Sequence, residues 1–401
     1  MRLNLDSKLI GGILLIIGTS IGGGMLALPI ANGPTGFLGS SFFLILCWLT
    51  MTVGALAILE VNLWFPPGSN LISMAQKTLG YPGKITAWIV YLFLLYSLLS
   101  AYIAGGSDVF QSILHRAHIF IPEYLSTILF VLIFGTIVYS GIRAVDYTNR
   151  GLMFGKLGVC LLLMLLIFPR IETTNLLNGH WYYATGTIMI LMTSFGFATI
   201  IPSLRTYFNG DASKLRKAVI IGSLVPLITY IAWDAAIMGV IPLHGSNGLL
   251  TLLKSKHSTS ELTTSLMLVT NSPWITNFFS FFTSICMLTA FLGVSLGLFD
   301  FLADGLKVQK KGASGLLIVT LAYLPPLLIV LFYPGVFISA LSYAGLFCVL
   351  LLLLMPTMMV WSGRYVKKIA LSESYRIKGE RFTLILIYII SIFLIYLTVF
   401  Y

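Results

Sequence analysis

Gly18-Thr19-Ser20-Ile21-Gly22-Gly23-Gly24-Met25-Leu26-Ala27-Leu28-Pro29 is the stretch whose reading decides the fold. It lies in the middle of a long apolar segment, where a membrane-crossing helix ought to be regular. Gly22, Gly23 and Gly24 each cost a helix about 1 kcal/mol relative to alanine, and Pro29 removes a backbone donor. In hydrocarbon, non-helical backbone survives only when it is buried in protein or lines a cavity. The stretch reads as a broken helix whose freed amides and carbonyls face a ligand. A tight packing face is the alternative use of small residues.

The composition sets the class. Of 401 residues, 58% are hydrophobic and 9% are charged, against about 25% charged in a soluble protein. The chain is expected to be an all-α membrane protein. Cys47, Cys160, Cys286 and Cys348 all fall in apolar segments without pairing or ligand spacing, so neither a disulfide framework nor a metal site is expected. Arg2 and Lys8 precede the first apolar run, but no small-residue cleavage site follows, and that run is read as a retained first helix.

A crossing needs about 20 predominantly apolar residues. Eleven transmembrane helices are expected, at 8–31, 36–64, 84–113, 124–141, 147–168, 181–206, 216–241, 273–300, 314–333, 336–361 and 382–401. Residues 69–81 are too polar to cross and read as an interfacial helix, and the polar stretch 242–272 reads as a cover over one mouth. Of the 24 Lys and Arg, nineteen fall on the side of the N-terminus. Only Arg116, Arg170, Lys254 and Lys256 fall on the other, and Lys156 is left inside a span. By the positive-inside rule the N-terminus is cytoplasmic and the C-terminus periplasmic. The same dispersal of positive charge over loops argues against a nucleic-acid partner.

A second interruption, Thr193-Ser194-Phe195-Gly196-Phe197-Ala198-Thr199-Ile200-Ile201-Pro202-Ser203, occupies the sixth span. Shifting the chain by 173 residues lays Pro29 on Pro202, Gly23 on Gly196 and Ser20 on Thr193. Span one runs outward and span six inward, so the copies are inverted. Paired, interrupted spans in two halves point to a transporter's binding site. Amides at one broken end suit a carboxylate, and carbonyls at the other suit an ammonium. The matching substrate is a zwitterion, an amino acid.

Ile21 to Pro29, Leu59-Glu60-Val61-Asn62, Thr193 to Phe197 with Ile201-Pro202-Ser203-Leu204, and Phe291-Leu292-Gly293-Val294-Ser295-Leu296-Gly297-Leu298-Phe299-Asp300 together resemble the hydroxy and aromatic amino acid permeases. The bacterial tyrosine and tryptophan permeases are the nearest in pattern, within the amino acid–polyamine–organocation superfamily, and the resemblance covers nearly the whole chain. It implies a bacterial inner-membrane proton symporter with the five-plus-five inverted-repeat (LeuT-like) fold and spans 1 and 6 broken. The first repeat would be 1–168, the second 181–361, with a peripheral span at 382–401. Ala198-Thr199-Ile200 stand where many relatives have His-Gly-Ser.

Thr19, Ser20, Gly22, Gly23 and Gly24 are the candidates for the substrate carboxylate, and Thr193, Ser194 and Gly196 for its amino group. Phe195 and Phe197 are the candidates for an aromatic side chain. Tyr96, Ser100 and Tyr102 lie on span three, which lines the pocket in the implied fold. For coupling, Lys156 takes the place that a sodium ion fills in some members of the wider superfamily, and Glu60 is the second intramembrane candidate. Asp234 and Asp108 read as helix-end or gate charges. The expected function is proton-coupled import of an aromatic amino acid, tyrosine first, by alternating access. A sodium-coupled or uniport carrier of tryptophan or another neutral amino acid is the alternative. No selectivity-filter repeat, catalytic pairing or Walker loop is present, so a channel and an enzyme are both disfavoured. The expected partners are the amino acid, a proton and the lipid bilayer, with no cofactor and no obligate protein partner.

Overall fold

A computed structural model describes residues 7–140, 142–309, 312–370 and 375–400. The chain starts with α1 (Ser7–Ser20) and α2 (Gly23–Asn32), passes through a 3-10 turn at Gly33–Thr35, and returns in α3 (Gly36–Leu63). The reversal depends on Gly36, whose φ of 78° is left-handed. A Cβ there would lie 2.2 Å from the Asn178 carbonyl oxygen.

Residues 71–79 form a helical piece of their own at the start of α4 (Leu71–Arg116), set off from the rest by non-helical backbone at Gly80 (φ 82°, ψ −166°), with Pro82, which lacks an N–H, just beyond. Asn70 caps this helix by accepting from the Ser73 amide at 2.9 Å. Helices α5 (Glu123–Tyr139) and α6 (Ile142–Ile167) follow.

The second half has a one-turn α7 (Thr173–Leu176), α8 (Ile188–Ser194), a 3-10 stretch at Gly196–Ile200, α9 (Ile201–Tyr207) and α10 (Ala212–Val240). The stretch 242–272 is largely helical, with α11 (Leu249–Lys254) and α12 (Ser258–Thr270). Then come α13 (Pro273–Leu306), α14 (Gly312–Phe332), α15 (Phe337–Cys348), a π turn at Val349–Leu354, α16 (Met355–Trp361) and α17 (Glu380–Phe400). Pro356, in the first turn of α16, cannot donate to the turn before it, which accounts for the π distortion there.

Among the described residues, nine helical stretches are long and apolar enough to cross a bilayer, with Ser7–Ser20 and Glu123–Tyr139 as shorter apolar helices. The protein is an all-helical, multi-pass membrane protein. The stretches differ from the expected spans for local reasons. The break parts α1 from α2, and α2 runs on into α3 through the 3-10 turn. Trp181–Gly186 is a 3-10 turn ahead of α8, not the start of a crossing helix.

Helices α1, α2, α3 and α10 pack together, with α8 against α2 and α3. Helices α4, α5, α6, α13 and α14 form a second group, and α15 contacts both α4 and α8. Helix α17 lies against the Val349–Leu354 turn and α16 at the margin.

Candidate functional site

The two breaks lie side by side. In the first, α1 ends at Ser20, Gly22 is extended (φ −156°, ψ −152°), and α2 begins at Gly23 with no side-chain cap. The interruption is thus confined to Ile21 and Gly22. Gly23 and Gly24 are already helical, and Pro29 sits inside α2, where it removes one hydrogen bond without ending the helix. In the second break, Phe195 (φ −104°, ψ 25°) leaves α8 and the 3-10 stretch leads to Pro202 in the first turn of α9. A Cβ on Gly24 would stand 3.6 Å from Ser194 Oγ, which fixes how close the two lie.

Unwinding frees carbonyls, and buried carbonyls need donors. Two side chains supply them. Lys156 Nζ donates to the Ile21 carbonyl at 2.5 Å, with the residue only 2% exposed. The Tyr230 hydroxyl reaches the Ser20 carbonyl at 2.6 Å and the Ser194 carbonyl at 3.1 Å, so one group from α10 spans both breaks. Its single proton serves one carbonyl at a time. The Phe195 ring stands edge-on to Tyr230, 5.4 Å between centroids.

The expected ligand residues separate into two sets. Gly22, Gly23 and Gly24 meet the other helices at the break: Cβ atoms there would lie 3.9 Å from Ala290 Cβ, 2.8 Å from the Tyr102 ring and 3.6 Å from Ser194 Oγ respectively. Phe195 and Phe197 are fully buried beside it. Ser20 Oγ and Ser100 Oγ are buried without a hydrogen-bond partner. The hydroxyls of Thr19, Thr193 and Ser194 are instead spent on backbone. Thr19 donates to the Leu15 and Ile16 carbonyls. Thr193 donates to Met189 and Leu341, and Ser194 to Ile190. Gly196 lies against Cys348, to whose sulfur its Cβ would come within 3.3 Å.

Tyr96 is placed elsewhere. Its hydroxyl donates to the Leu321 carbonyl of α14 at 2.7 Å, and Tyr102, six residues on, meets the break in its stead. Sequence reasoning missed Tyr230 and Met287, whose sulfur lies 3.3 Å from a Gly23 Cβ. Tyr230 left one signal, since a tyrosine in mid-membrane must find a partner for its hydroxyl.

Glu60 does not face the breaks. It is 0% exposed and takes a two-pronged bond from Arg364, Nε to Oε1 at 2.7 Å and Nη2 to Oε2 at 2.6 Å. The Ile377 amide adds a third donor at 2.8 Å. Asp234 is not at a helix end but lies within α10, six residues before its last residue. It is buried in α10 and accepts from Asn32 Nδ2 at 3.0 Å and Ser40 Oγ at 2.5 Å. Asp108 accepts from the Ser260 amide and hydroxyl at 2.8 and 2.6 Å and contacts His257 Nδ1 at 3.2 Å, beside a cleft of about 210 Å³. The hydrogen bond to Asp108, reinforced by Glu123 and Glu261, raises the pKa of His257 above its ordinary value against the effect of burial.

All ten residues of α2 and the following Gly33–Thr35 are buried, whereas Thr19, on the other side of the first break, is exposed. The face of α13 that meets Gly22 at Ala290 continues through Gly293 and Gly297, where an added Cβ would meet nothing within 4 Å. Among the described residues, no cluster of three His, Cys, Asp or Glu could hold a metal ion.

The profile of the tryptophan/tyrosine permease family matches residues 6–398. The chain is 33% identical over 393 residues to "Tyrosine-specific transport system 2" of Haemophilus influenzae, covering 97% of this chain and 95% of that protein. It is 30% identical over 364 residues to "Tryptophan-specific transport protein" of Pseudomonas aeruginosa, covering 89% and 87%. It is also 29% identical over 365 residues to "Glutamine transporter 2" of Aliivibrio fischeri, covering 89% of each. Two interrupted helices with their free backbone ends facing one another, in a chain matched along almost its whole length, make this protein a transporter and not an enzyme, and it belongs to the tryptophan/tyrosine permease family.

Proposed function

We propose that the protein imports an aromatic amino acid, tyrosine first, across the bacterial inner membrane together with a proton. The observation that carries this reading is the pairing of the breaks. The amides at Gly23 and Gly24 open α2 without a side-chain cap, close to Tyr102 and Ser194, and the Ser20 hydroxyl just before the break has no partner. A substrate carboxylate would dock on those amides. Its ring would lie among Phe195, Phe197 and Tyr102, and its ammonium would compete with Tyr230 for the Ser20 and Ser194 carbonyls. The name of the Haemophilus relative favours tyrosine, and the Aliivibrio relative is named for glutamine.

In this reading α1 and α2 together form span one, and the chain has eleven spans in the five-plus-five inverted-repeat arrangement. The Ser7 end is cytoplasmic, which the distribution of Lys and Arg supports. The fully buried α2 and the uncrowded Gly293 and Gly297 favour a carrier open to the cytoplasm. Alternating access would rock α1, α2, α3, α8, α9 and α10 against the second helix group. Lys156 supplies the positive charge at break one and is needed for proton-driven uptake. Glu60, with three donors already bound, serves as a tie between spans.

Purified protein in proteoliposomes with an inward pH gradient should accumulate labelled tyrosine above equilibrium. Uptake that only equilibrates would overturn symport, and accumulation that needs sodium at fixed pH would replace the proton.

A further inference from the structure

We propose that Asp234 is a proton-binding site, and that the acid–amide pair it then forms with Asn32 fixes the position of α2. This rests on the proton-symport reading above. Asp234 and Asn32 are both 0% exposed. Asp234 Oδ2 takes both of the available hydrogen bonds, from Asn32 Nδ2 and Ser40 Oγ. Asp234 Oδ1 has no partner, and neither has Asn32 Oδ1. Two side chains already joined along one edge therefore each keep a bare, buried acceptor oxygen.

One proton resolves both vacancies. A carboxylic acid and a carboxamide pair through two bonds, amide N–H to acid oxygen and acid O–H to amide oxygen. The first exists here, and a proton on Oδ1 would supply the donor that the second needs. Leaving the carboxylate charged would keep an ion without a counter-charge, at an effective penalty of several kcal/mol, beside an unsatisfied acceptor worth about 1–3 kcal/mol. Among the described side chains, the charged residues on the helices packed against α10 do not neutralise it. Glu60 on α3 is bound to Arg364, Lys156 on α6 to Ile21, and Arg170 ahead of α7 to the Thr270 carbonyl. Arg205 on α9 is bound to Asn62 and Phe65, and Lys8 lies on the first turn of α1 at the opposite end. Glu261 on α12 carries the same sign as Asp234. Among the described residues, Asp234 interacts only with Asn32 and Ser40.

The placement gives the proton a consequence. Asn32 is the last residue of α2, and Gly23, whose amide faces the substrate site, is the first. Asn32, Ser40 and Asp234 sit on α2, α3 and α10, which belong to one helix group, so the contact orients α2 within its group and does not latch the two groups together. Without the proton, the bare oxygens of Asp234 and Asn32 repel and the far end of α2 is loosened. With it, α2 is held by both bonds and presents its amides to the carboxylate. Proton and substrate favour the same position of one helix, so each strengthens binding of the other. The step is a proton transfer from water to Oδ1 and back. Tyr230, one turn earlier on the same face of α10, places its hydroxyl on the break carbonyls.

The test uses the full chain in lipid nanodiscs with tyrosine as the probe. Infrared difference spectra on adding tyrosine should show a protonated-carboxyl band that Asp234→Asn removes, Asn32→Ala shifts and Lys156→Met retains. Tyrosine affinity should rise as pH falls, by up to about tenfold per pH unit for one linked proton, and Asp234→Asn should flatten that slope. Absence of the band, its survival in Asp234→Asn, or an affinity that follows sodium at fixed pH would overturn the proposal. If Asp234→Asn does not fold, the shift in Asn32→Ala decides. Band and slope as expected with no uphill accumulation would sink symport alone. Accumulation with no Asp234 band and an unaltered slope would sink Asp234 and leave symport standing.

Discussion

Tyr230 contributes a single hydroxyl to two carbonyls that belong to different broken helices, 2.6 Å and 3.1 Å away. Tyr230→Phe keeps the ring that packs on Phe195 and removes only that donor. It should destabilise the protein by about 1 kcal/mol and slow tyrosine counterflow without weakening equilibrium binding, because the tie must reform in each cycle while the substrate ammonium loses a competitor. Counterflow measured beside binding separates the two. Gly23 is a question of volume. Even a Cβ would stand 2.8 Å from the Tyr102 ring, so Gly23→Leu should weaken tyrosine binding by at least about tenfold, ~1.4 kcal/mol, while gel filtration still shows a monodisperse protein. Unimpaired binding in that variant would remove α2 from the substrate site. Lys156→Met deletes the ammonium that satisfies Ile21. It should abolish proton-driven accumulation, and fully proton-driven uptake in that variant would exclude Lys156 from coupling.

At the scale of elements, Glu60 joins α3 to the segment beyond α16. Arg364 and the Ile377 amide reach it from the two ends of the stretch that leads towards α17. A buried ion pair is expensive to break on one side, because the remaining charge stays desolvated, at about 3–5 kcal/mol. Arg364→Met should therefore lower thermal stability in detergent more than the double variant Glu60→Gln with Arg364→Met. If the single and double variants melted alike, the pair would not be coupled. Arg205 acts similarly nearby, binding the Asn62 and Phe65 carbonyls where α3 ends. These ties lie at the Ser7 end, where the motif Leu59-Glu60-Val61-Asn62 meets its partners.

Across the whole molecule, the opposite end is held by the contact of Asp108 with His257 and Ser260, which joins α4 to the start of α12. His257 has a raised pKa in the folded protein because Asp108 favours its charged form. Its contribution to stability is therefore complete below the unfolded value of about 6.5 and is lost as pH rises through the raised folded value. The melting temperature should fall as buffer is taken from about pH 6.5 into the mildly alkaline range, and Asp108→Asn should flatten that fall. A native profile that is already flat would show that this contact holds nothing.

How much of this was legible depended on whether a residue's role is local. Gly22 to Gly24 and the Phe195–Ile200 stretch announce breaks because helix propensity and backbone hydrogen bonding act within a few residues, and the apolar runs announce membrane helices for the same reason. The positions of Lys156 and Glu60 inside spans were visible too. What the sequence could not say is which freed carbonyl meets which donor. Lys156 on Ile21, Tyr230 across Ser20 and Ser194, Arg364 on Glu60, and Asp234 on Asn32 join residues 36 to 304 positions apart. Thr19, Thr193 and Ser194 seemed free for a substrate by residue type alone, but each bonds the preceding turn of its own helix, leaving Ser20 and Ser100 unpartnered. The sequence by itself determined that helices one and six must break, because glycine, proline and unpaired amides follow local rules. Only the tertiary structure decided what satisfies the breaks, because in a membrane interior every freed polar group takes its partner from whichever helix packing brings alongside.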